Sequence, residues 1–117
     1  MEKKKSDCLF CRIIAREIPA KFEYEDNSLV AIQDINPQAP VHLLVIPKRH
    51  ITRVSDVEEN DRLLMGEMIL RAKELACARK FEEGFRLILN NGPKAGQSVF
   101  HVHLHLLGGR NMTWPPG

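Results

Sequence analysis

Residues 97–109 read QSVFHVHLHLLGG, and the fold follows from how this stretch is read. His101, His103 and His105 alternate with Val102, Leu104 and Leu106. Such alternation suits a β-strand, whose side chains point to opposite faces with a period of two. On a helix, His103 would point away from the other two rings. The strand reading makes a row of three imidazoles at the sheet surface, about 6.6 Å apart per step, with the aliphatic residues packed on the opposite face. His101 and His105 then stand about 13 Å apart, whereas nitrogens sharing one zinc ion converge within about 4 Å. All three cannot bind one metal, although a two-histidine HxH half-site completed from elsewhere stays open.

Working outward, the histidine strand, residues 99–107, is the fifth of five. Residues 21–25 and 28–33 pair through an Asp26-Asn27 turn, residues 41–47 form a mostly buried third strand, and residues 85–90 a fourth, with Arg86 facing opposite to Phe85 and Leu87. A short helix, N-capped by Ser6 or Asp7, runs to about Glu17 and stops before Pro19. A long helix from about Asn60 to Arg79 follows a Ser55/Glu58 capping-box pattern. Leu64, Met65, Met68, Ile69, Ala72, Leu75 and Ala76 form its core face. Leu63, Leu70 and Cys77 widen that stripe, which is read as deeper burial ahead of a subunit interface. The fold class is therefore α+β: a five-stranded antiparallel sheet with one long and one short helix. Residues 1–117 are expected to form one domain, with 1–6 a disordered tail and 108–117 a closing loop.

At 117 residues, 44% hydrophobic and 27% charged, the chain can bury one core. A net charge of +2 with dispersed basic residues gives no footprint for nucleic acid. Lys3, Lys4 and Lys5 do not begin a signal peptide, because Asp7 and Arg12 interrupt the apolar stretch that follows. No segment approaches the roughly 20 apolar residues of a membrane span. A cytoplasmic protein is expected, with its three cysteines reduced rather than paired.

A neutral imidazole is a good nucleophile towards phosphorus, and the resulting N–P bond is easily displaced by water. The central ring, His103, is the natural nucleophile, since neighbours on both sides can fix its tautomer and hold a proton. Just before it, NNGPKAGQS offers Gly92 and Gly96, backbone amides and the Ser98 hydroxyl to an anion. Loop and strand together would cradle a phosphate against His103.

These residues resemble the histidine triad (HIT) family, whose HφHφHφφ motif (φ apolar) is matched by HVHLHLL from His101 to Leu107. FCRIIAREIPAK, DINPQAPVHLLVIPKRH and the terminal WPPG extend the resemblance to the Hint branch of nucleoside phosphoramidate hydrolases. The resemblance implies a homodimer with a ten-stranded sheet across two subunits. It also implies hydrolysis of the P–N bond in purine nucleoside 5'-phosphoramidates, with a nucleoside monophosphate bound at each site. His103 matches the nucleophile; His105, His101 and His42 match supporting histidines, and Ser98 a catalytic hydroxyl. Asp34 matches the carboxylate that accepts both ribose hydroxyls. Phe10 and Ile35 match residues around the base; Asn90, Gly96, Gln97 and Ser98 match those at the phosphate and leaving group.

Some members of this family carry a structural zinc on ligands that correspond here to Cys8, Cys11, His50 and His101. Read as residues alone, the CxxC leaves two possibilities: two thiolates at i, i+3 of a helix completing a closed site with two imidazoles, or two small buried thiols. The catalytic step itself requires no cofactor. Three other readings stand beside the phosphoramidase: a nucleotide-binding scaffold with incidental hydrolysis, a dinucleoside polyphosphate hydrolase, and a zinc hydrolase using HxH.

Overall fold

The computed structural model describes residues 7–116; the expected tail, residues 1–6, and the Ser6 cap lie outside them. Its elements are α1 (Leu9–Ile14), β1 (Phe22–Glu25), β2 (Leu29–Gln33), β3 (Val41–Pro47), α2 (Arg62–Ala78), β4 (Phe85–Ile88) and β5 (Leu104–Gly108). The strands form one antiparallel sheet in the order β1-β2-β3-β5-β4. The expected α+β architecture, with one short and one long helix, is the one adopted.

The pleat sorts side chains to two faces. Opposed residues share a face, so the pairs His42–Leu107 and Leu44–His105 across β3 and β5, and Arg86–Leu107 and Ile88–His105 across β4 and β5, all lie on one side. On that side α1 packs Cys8, Phe10 and Ile13 against Val30, Ile32, Leu44 and Ile46. The other side carries Leu29, Ala31, Val45, Val102 and Leu104 beneath Met68 and Ala72 of α2, with Leu43, Leu106 and Ala76 continuing the layer. Each fully buried aliphatic side chain contributes about 1.5–3 kcal/mol, so the two layers fix the register.

Several boundaries differ from expectation. The row of histidines is not a continuous strand: β5 begins at Leu104, because the Val102 amide donates to the Ile51 carbonyl (2.7 Å) instead of joining the ladder. β4 ends at Ile88, and α1 ends at Ile14, the chain turning through a left-handed Arg16. Its cap is Cys8, not Asp7: the Cys8 sulfur accepts from the Cys11 amide. The capping box before α2 is Glu58/Asp61 rather than Ser55/Glu58, the Glu58 amide donating to Asp61 (2.9 Å). The widened stripe of α2 is not buried. Leu63 is 81% exposed and Leu70 and Cys77 also face outward, and Ile69, expected on the core face, is half exposed with them. Among the described residues no helix is long and apolar enough to cross a membrane.

Candidate functional site

His42 and His105 lie side by side on β3 and β5, and His103 sits on the irregular approach to β5. All three are buried or half-buried, as is His101, so the row is not a surface feature. Hydrogen-bond partners assign the tautomers. The Gln38 amide donates to His42 Nδ1 (3.0 Å), so the neutral ring carries its proton on Nε2. Nε2 lies 2.9 Å from His105 Nδ1 and donates to it, which leaves His105 with a proton on its own Nε2. His103 Nδ1 lies 2.7 Å from the His101 carbonyl and must donate, so its lone pair is on Nε2.

Burial keeps these rings neutral. It pushes His105 down to about 4, and positive charge on His103 or His42 would lower it further. It lowers His42 and His103 too, although Asp34 opposes the shift at both and the His101 carbonyl opposes it at His103. Asp34 Oδ2 stands 3.4 Å from His42 Nε2, and Oδ1 accepts from the Asn36 amide (2.8 Å), closing an Asx turn. The Asp34 amide, donating to the His42 carbonyl (3.0 Å), shuts the intervening proline loop.

A cavity of about 320 Å³ opens over His103 and His105. Asp34, Ser98 and Gln33 supply its polar groups, while Phe10, Ile13, Ile18 and Leu44 line an apolar recess. Phe10 meets His103 edge-on, with centroids 4.9 Å apart. Ile35 stands at the rim, 98% exposed. Asn90 lies elsewhere, lining a second cavity on the other side of His105. Gly96 closes a turn at φ +97° and lines neither cavity. Gln97 also turns away: its side chain accepts from the Gly92 amide (2.7 Å) and donates to the Thr52 carbonyl (2.8 Å), bracing the loop behind Ser98. Of the expected phosphate-side group, only Ser98 faces His103.

Cys8, Cys11, His50 and His101 form a separate cluster behind Phe10, their donor atoms all within 4.8 Å of one another. Individual separations run from 3.1 Å (His50 Nδ1 to His101 Nδ1) through 3.3 Å (Cys8 Sγ to His101 Nδ1, and Cys11 Sγ to His50 Nδ1) to 3.5 Å (Cys11 Sγ to His101 Nδ1). Ligands about 2.1 and 2.3 Å from a tetrahedral zinc stand about 3.3–3.8 Å apart, so the donor set fits that ion. His101 Nε2 donates to the Pro47 carbonyl (2.7 Å), which turns Nδ1 towards the sulfurs. An HxH pair does not form, since His101 belongs to this cluster and His103 to neither of the candidate ligand groups among the described residues. Gln38 and Gln33 have no motif to mark them; their roles come from the loop closure and the strand edge.

Comparison with known proteins agrees with this geometry. The HIT domain family matches residues 15–112. An uncharacterized HIT-like protein of Synechocystis is 50% identical over 95% of this chain and 97% of its own length. The crystal structure of a HIT family hydrolase from Legionella pneumophila superposes with a TM-score of 0.92 at 53% identity, covering 94% of this chain and 99% of that one. A histidine triad nucleotide-binding protein from Candida albicans gives 0.78 at 31%, covering 92% and 82%.

Proposed function

The chain belongs to the HIT family, and from that premise we propose that it hydrolyses purine nucleoside 5'-phosphoramidates through a nucleotidyl intermediate on His103. The observation that carries the reading is the hydrogen bond from His103 Nδ1 to the His101 carbonyl, which fixes the lone pair on Nε2 in a ring that lines the cavity. The nucleoside lies along the cavity, its base in the apolar recess beside Phe10 and under Ile35, its ribose hydroxyls on Asp34 and its phosphate between Ser98 and His105. The named relatives that are hydrolases or nucleotide-binding proteins support this reading.

In the first half-reaction Nε2 attacks phosphorus, forming an N–P bond as the P–N bond to the amine breaks. The departing nitrogen keeps that electron pair and takes a proton from the His42–His105 pair, whose protonation the bound phosphoryl anion favours. In the second half water attacks phosphorus, gives one proton back to the pair, and displaces His103 as a neutral ring. The products are a nucleoside monophosphate and an amine.

Zinc on Cys8, Cys11, His50 and His101 would supply a structural cross-link, holding α1 and hence Phe10 against the sheet. A second copy is expected to join along β4, one edge of the sheet, extending it to ten strands.

The test is His103→Ala with adenosine 5'-phosphoramidate. Turnover should fall by at least about a thousandfold while adenosine monophosphate still binds by calorimetry. An active alanine variant would end the proposal.

A further inference from the structure

Arginine usage divides this molecule. Of nine arginines, seven stand within ion-pair distance of a carboxylate. The other two, Arg86 and Arg110, pair with no carboxylate among the described residues, and both line the same cavity of about 310 Å³. That cavity lies on the side of His105 away from the apolar recess. Its wall includes His42, Asn90 and Gln38 and, among the described residues, no acid.

Strand register explains the placement. Arg86 opposes Leu107, and Ile88 opposes His105, so the Arg86 side chain shares the face of the catalytic histidines. Its Nη2 donates to the Thr113 carbonyl (2.7 Å). Arg110 donates through Nε to the Gln38 carbonyl (2.9 Å) and through Nη1 to the Asn111 carbonyl (3.1 Å). Each guanidinium has five N–H donors and, among the described residues, is held by neutral carbonyls only, which orients it without cancelling its charge. Two such groups on the wall of one cavity, with His42, His105, Asn90 and Gln38 as its other polar groups, are suited to an anion.

We propose that this second cavity receives the leaving fragment, and that Arg86 and Arg110 make the enzyme favour amines bearing a carboxylate. The inference rests on the phosphoramidase reading, in which the nucleoside occupies the apolar recess and the amine departs past His105. The bond changes are those already given; Arg86 and Arg110 bind the carboxylate of the amine and take no part in proton transfer.

The experiment compares two adenosine 5'-phosphoramidates of near-identical shape, the β-alanine conjugate and the β-alaninamide conjugate, which differ in one negative charge. The wild type should favour the carboxylate in kcat/KM by about tenfold. Arg86→Gln with Arg110→Gln should bring the ratio to about one, and Arg110→Glu should take it below one. A ratio measured within one preparation does not depend on how much of a variant is folded. A wild-type ratio near one, or a preference that survives the double substitution, overturns the inference while leaving the phosphoramidase reading intact, provided the amide conjugate is hydrolysed. If neither conjugate is hydrolysed, the phosphoramidase reading fails and the inference with it. Faster cleavage of diadenosine triphosphate than of the β-alanine conjugate, lost in the same arginine variants, would assign the cavity to phosphate and overturn the carboxylate assignment.

Discussion

His101 and His103 are two residues apart, both buried, and each spends one ring nitrogen on a backbone carbonyl. The difference is which nitrogen. His101 gives Nε2 to Pro47 and turns Nδ1 to two sulfurs and His50; His103 gives Nδ1 to His101 and keeps Nε2 for the cavity. In the function proposed above, the first ring would hold a metal and the second would attack phosphorus. The division of labour is set by the position of a carbonyl acceptor, with no change of residue type.

If the two rings serve different ends, the metal cluster and the His103 site can be disabled independently. If the cluster holds the proposed zinc, chelating the metal from zinc-loaded protein, or substituting Cys8→Ser, should cost several kcal/mol of folding free energy, because a structural metal's binding energy is folding energy. Calorimetric melting should fall by about 10 °C or more, whereas His103→Ala should stay within about 2 °C of the wild type. Equal melting of chelated and untreated protein would remove the metal from the account.

A smaller effect sharpens the other side. His42 and His105 have lowered folded-state values, His105 to about 4, against an ordinary 6.5. Well above pH 6.5 both rings are neutral, folded or unfolded. As the pH falls below that, the unfolded chain takes up protons that the folded rings refuse, so stability declines towards acid. The groups facing them are His103 and Asp34. With zinc saturating, the melting temperature should drop by about 5 °C between pH 6.5 and 5, and His105→Asn should flatten the slope. A profile flat in the wild type would mean the pair is not held neutral.

Much of this was legible beforehand. The alternation from His101 to Leu106 put the aliphatic residues on the face opposite the histidines, and Val102, Leu104 and Leu106 are packed there, beneath α2. The start of β5 was not, since nothing in a periodic run shows that an amide will bond Ile51 instead of the neighbouring strand. Nor was the fate of Gln97, a polar residue in a glycine-rich loop that could as easily meet a ligand as brace its own turn. Leu63, Ile69 and Leu70 show the same limit. Helical spacing marks an apolar face without saying whether the chain's own sheet or another molecule covers it.

In the proposed reaction His103, alone among the histidines, becomes covalently bonded to phosphorus. Quenching the reaction with a slow phosphoramidate within its first turnover, digesting at a pH that preserves N–P bonds, and sequencing the peptides by mass spectrometry tests it directly. The account requires one nucleotidyl group per chain, located on His103. An adduct on His101, His105 or His42, or amine release with no adduct at any time, would contradict it.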